Sequence, residues 1–101
     1  IEVYKERIIA YSLGNFLTFG RFNLNGLNSL APLLYLNIDN EGRFLSGKIH
    51  SFYQTYDLGP TADKDNKAAL QIKKLSEIDF PKNPILIDDF GGINYLNGKI
   101  D

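Results

Sequence analysis

Apolar residues along this chain recur mainly at alternate positions, with one interval of helical spacing. From Leu33 to Ile38, Leu34, Leu36 and Ile38 fall on one side and Leu33, Tyr35 and Asn37 on the other, which predicts a strand with one face well buried. Asp39-Asn40-Glu41-Gly42 follows, with Asp first and Gly last, and predicts a type I turn closing a hairpin. The returning strand is expected over Arg43 to Tyr56. There Leu45, Gly47, Ile49, Ser51, Tyr53 and Thr55 share a face opposite Phe44, Ser46, Lys48, His50, Phe52 and Gln54. Such a long strand should pair with a third strand or bend at Gly47, and Leu58-Gly59-Pro60 should end it.

The pattern then lengthens. Ala68, Ile72 and Leu75, spaced by four and three, predict an amphipathic helix at about residues 65-78, with Lys67, Gln71 and Lys74 on its wet side. Asp63 or Asp65 is placed to cap it, and Phe80-Pro81 to stop it. Ile85-Leu86-Ile87 reads as a strand, Asp88 to Gly92 as a turn, and Ile93 to Leu96 as the partner strand or an irregular tail. Nearer the start, Ile8 to Ser12 and Leu17 to Phe19 read as two strand pieces joined by a bend, and Arg21 to Ser29 as an irregular loop with leucine anchors. The fold class expected is α+β, a mainly antiparallel β-sheet with one amphipathic helix.

With 101 residues, 44% of them hydrophobic, the chain has the length and apolar content for one core: a single domain, or the C-terminal segment of a larger one. A net charge of -1, with no cluster of basic residues beside the aromatics, argues against nucleic acid as a partner. No apolar run approaches the roughly 20 residues that span a bilayer. The opening IEVYKER lacks the basic-then-apolar order of a signal peptide, and a start on Ile1 without any methionine reads as a cut from a longer protein.

Chemistry is sparse. Cysteine is absent, which removes thiolate catalysis and Cys-ligated metal. The single histidine, His50, stands mid-strand on a polar face and reads as structural or solvated. Asp88 and Asp89 are neighbours, so in extended chain they point apart and suit a turn better than an acid/base pair. Asp57, Asp63 and Asp65 lack the spacing of a calcium loop, and Gly14, Gly91 and Gly92 make no phosphate loop. Phe44, Phe52, Tyr53 and Tyr56 would make a stacking platform if exposed, or cross-strand core pairs if not. Neither a catalytic residue nor a metal ligand set emerges.

Tyr11-Ser12-Leu13-Gly14-Asn15-Phe16 remains. It breaks the apolar Ile8-Ile9-Ala10 with residues that either make a turn packing Tyr11 and Phe16 inward or place polar atoms at a pocket. The block EVYKERIIAYSLGNF resembles the C-terminal part of the bacterial CapA-like family of poly-gamma-glutamate capsule synthesis. The surroundings of Phe19 to Phe22, Gln54, Gly59-Pro60 and Leu75-Ser76 to Phe80-Pro81 look like one branch of it. The resemblance implies a calcineurin-like metallophosphoesterase parent whose divalent metal is held by Asp, His and Asn ligands upstream of Ile1. It implies no cofactor in this segment, pocket-lining roles for Ser12 and Asn15, and an extracytoplasmic or cell-envelope location. The implied partners are the upstream segment of the same parent and an anionic polymer or glycan. The alternative from another class is a self-sufficient, non-catalytic accessory domain that binds a protein or glycan through exposed aromatics.

Overall fold

A computed structural model describes residues 1–14 and 26–96. The order of elements is β1 (Glu2–Tyr4), β2 (Arg7–Ile9), a 3-10 turn (Gly26–Ser29), β3 (Leu30–Ile38), β4 (Phe44–Thr55), β5 (Gly59–Ala62), α1 (Lys67–Asp79), β6 (Ile85–Ile87) and β7 (Gly92–Tyr95). β1 and β2 form a two-stranded hairpin, and the other strands form a five-stranded sheet in the order β3-β4-β7-β6, with β5 also on β4. Every pairing is antiparallel. The architecture is α+β with one helix among the described residues, as the spacing predicted.

The β3–β4 hairpin forms where its pattern placed it, and its turn closes as expected. Asp39 N–H donates to Arg43 O at 3.0 Å and Gly42 N–H to Asp39 O at 3.0 Å, with Gly42 at φ +82°. Two details differ. β3 begins before Pro32, because among the described residues it is an edge strand, where a missing N–H costs no ladder bond. The register also slips between Asn37/Ile38, leaving Leu45 as an extra residue on β4. That bulge reverses the alternation, so Phe44 joins Ile49 in the core while Leu45, expected on that face, is exposed.

β4 has two neighbours on its other edge. β7 pairs through Gly47↔Ile93 and Lys48↔Gly92. β5 pairs through Phe52↔Ala62 to Thr55↔Gly59, so Gly59-Pro60 starts a further strand where the sequence predicted only an end. The chain turns back at Leu58, whose N–H donates to Thr55 Oγ1 at 3.1 Å.

Helix α1 starts two residues later than expected, and its capping is only partly local. Asn66 takes a left-handed conformation, φ 55°, and makes no side-chain cap bond. Asp63 Oδ2 accepts from Lys67 N–H at 3.2 Å, and Ser51 Oγ on β4 accepts from Ala69 N–H at 3.0 Å. These two acceptors satisfy first-turn donors that a helix leaves orphaned. The buried stripe is Ala68, Ala69 and Ser76, with Ile72 half-buried. Leu75, read as part of that stripe, is 46% exposed, because the helix is rotated to bring its small residues against the sheet.

The core gathers Val3, Phe44, Ile49, Ala69, Ile85, Ile87 and Ile93. It lies on one face of the sheet, covered by α1 and the β1–β2 hairpin. The strand read over Ile8 to Ser12 is realised as β2, one residue earlier and ending at Ile9, but its pairing with β1 was not foreseen, since Lys5-Glu6 are poor turn formers; both nonetheless adopt positive φ, 50° and 66°. The hairpin's anchors come from distant chain. Asn83 accepts Val3 N–H at 3.1 Å and donates to Ile1 O at 3.0 Å, standing in for a third strand. Phe44 N–H donates to Glu6 O at 2.7 Å.

Candidate functional site

β2 ends at Ile9, and the chain leaves the hairpin through Ala10, Tyr11, Ser12, Leu13 and Gly14. Gly14 takes φ +67°, a conformation glycine adopts without steric cost, and a Cβ there would lie 3.6 Å from Leu30 O at the head of β3. The glycine of the motif thus takes a backbone conformation that other residues rarely adopt. Tyr11 is not a core residue. It is 61% exposed, its ring stacks on Phe80 with centroids 5.3 Å apart, and its hydroxyl donates to the Glu2 carboxylate. That hydrogen bond raises the Tyr11 pKa, with burial and the Glu2 charge adding to it.

Between this exit and the end of α1 lies an open groove of about 410 Å³. Its apolar lining is Ile1, Tyr11, Ile72, Leu75 and Phe80, and its polar atoms come from Ser12, Ser76 and Asp79. Ser76 is buried, and its Oγ accepts from the Ile1 nitrogen at 3.0 Å. Ser12 is exposed and lines the groove, with a hydroxyl that can both donate and accept a hydrogen bond. Of the two predicted pocket residues, Ser12 lines this groove; Asn15 lies outside the described residues, as do Phe16 and the Leu17 to Phe19 piece.

The other candidates are dispersed. His50 is exposed on the sheet face away from α1, opposite Leu33. Asp88 Oδ1 accepts from Phe90 N–H at 2.9 Å and Gly92 N–H at 2.8 Å, which closes the β6–β7 turn. Asp89 instead pairs with Lys73 at 2.7 Å, an interaction that raises the Lys73 pKa. The two neighbouring carboxylates therefore serve separate structural ends. Phe44 is in the core, tilted against Tyr95 at 5.6 Å, so the four aromatics do not form one platform. Tyr53 and Tyr56 are 36% and 72% exposed, and Tyr53 lines a second groove with Leu30, Thr61, Asp63, Lys64 and Lys67.

Among the described residues, no three His, Asp or Glu side chains come together in a way that could hold a metal ion. Nor is any helix among them long and apolar enough to cross a membrane. Sequence reasoning missed Phe80 and Asn83, which shape the groove and hold its hairpin wall. Their signal was faint: Phe80-Pro81 reads locally as a helix stop, and only the packing of β1 against that corner gives the two residues a further use. Compared with protein-family models, curated proteins and solved structures, the chain matches none.

Proposed function

We propose that this chain is the C-terminal segment of a CapA-like poly-gamma-glutamate capsule-synthesis protein, non-catalytic by itself, completing a metallophosphoesterase-like domain with segments upstream. The observation that carries the reading is the position of Ser12. The residue that the YSLGNF resemblance marks as pocket-lining leaves β2 at the rim of an open groove rather than packing into the core. Apolar groups left exposed along the same groove, Tyr11 and Leu75, support a surface built to meet more polypeptide. In this reading the divalent metal belongs to the parent, its ligands lie upstream, and Ser12 and Asn15 supply hydrogen bonds beside it. The substrate is an anionic polymer or glycan, handled at the bacterial cell envelope.

The test is a nitrogen–proton correlation spectrum recorded during addition of manganese, on this chain and on a longer one that includes the upstream segment. Expected is no selective broadening in the shorter chain and strong broadening at Ser12 and Asn15 in the longer. A longer chain whose Ser12 and Asn15 signals ignore the metal overturns the reading.

A second reading, a self-sufficient accessory domain that binds a glycan or protein, draws on the exposure of Tyr53 beside Lys64 and Lys67, an aromatic face next to hydrogen-bonding groups. Adding an oligosaccharide to the same sample separates the two. Shifts centred on Tyr53, without metal effects in the longer chain, favour the accessory domain.

A further inference from the structure

We draw no further inference here: the strongest candidate, the face of the β3–β4 hairpin that carries Leu33 and Tyr35 opposite His50 and Lys48, is an unpartnered face among the described residues, and nothing in the structure shows what covers it.

Discussion

Gly91 is the residue at which backbone freedom decides most. It sits at φ +94°, and a Cβ there would fall 2.2 Å from Ile49 O, in the middle of the core strand. Its own carbonyl accepts from Ile49 N–H at 2.7 Å, so the approach is part of the sheet. Gly91→Ala is expected to cost at least about 3 kcal/mol, combining left-handed strain with a backbone clash that no rotamer relieves. Gly42→Ala, at φ +82° with nothing within 4 Å, should cost only about 1 kcal/mol. Urea unfolding of the two variants checks the contrast, and equal losses would sink it. Asp39 makes a different prediction. Its carboxylate accepts from the N–H groups of Arg43 and Glu41 at 2.8 and 2.9 Å and from Arg43 Nε at 2.6 Å. The Arg43 N–H foremost holds its pKa below the usual aspartate value; burial, next in size, opposes it, and the Arg43 side chain and the Glu41 N–H add to the lowering. A carboxylate whose folded pKa is depressed stabilises the fold above its unfolded pKa, and that contribution is lost as pH falls through the folded value. The unfolding midpoint should therefore drop below about pH 4 more steeply in the native chain than in Asp39→Asn. Parallel pH profiles would remove Asp39 from the account.

Among the elements, α1 shows how a start signal read correctly in kind can be realised elsewhere in space. Asp63 contributes, as its position before the helix implied, but the second acceptor is Ser51, on a strand the chain laid down earlier. Because Ser51 is buried, Ser51→Ala leaves the Ala69 N–H without water or partner, at an expected cost of about 1–2 kcal/mol. Asn66→Gly removes no side-chain cap bond and relieves a left-handed residue, so it should be neutral or slightly stabilising. Thermal unfolding of both variants tests the assignment; a larger loss in Asn66→Gly would return the cap to its conventional place. The bulge at Leu45 has the same lesson for strands. Alternation predicted β4 correctly and its first face wrongly, since one extra residue moves every side chain before it to the other side. Nothing in Arg43-Phe44-Leu45-Ser46 marks the slip, because Phe44 and Leu45 are equally apolar; what selects Phe44 is the room beside Tyr95, whose hydroxyl donates to Phe44 O at 3.0 Å.

At the scale of the whole molecule, Phe44 is where hairpin, sheet and core meet, fully buried and tied through its backbone to Glu6 and Tyr95. Phe44→Ala is expected to cost about 3–5 kcal/mol, a large share of the 5–15 kcal/mol typical of a domain. Ile78→Lys, at a residue 64% exposed, should leave the stability of this chain within about 0.5 kcal/mol. Chemical denaturation of both variants checks this map of what is core and what is surface. The sequence by itself determined the β3–β4 hairpin, the helix with its stop at Phe80-Pro81, the strand β6 and the α+β class, and left the β7 segment open between a partner strand and an irregular tail. Each of these rests on periodicity and turn chemistry confined to a few neighbouring residues. The tertiary structure alone decided the β1–β2 hairpin, the return strand β5, the rotation of α1 that exposes Leu75, and the groove that places Ser12 beside Phe80. Those depend on contacts between residues far apart in the chain, such as Asn83 with Val3 or Ser51 with Ala69, and local pattern does not encode such partners.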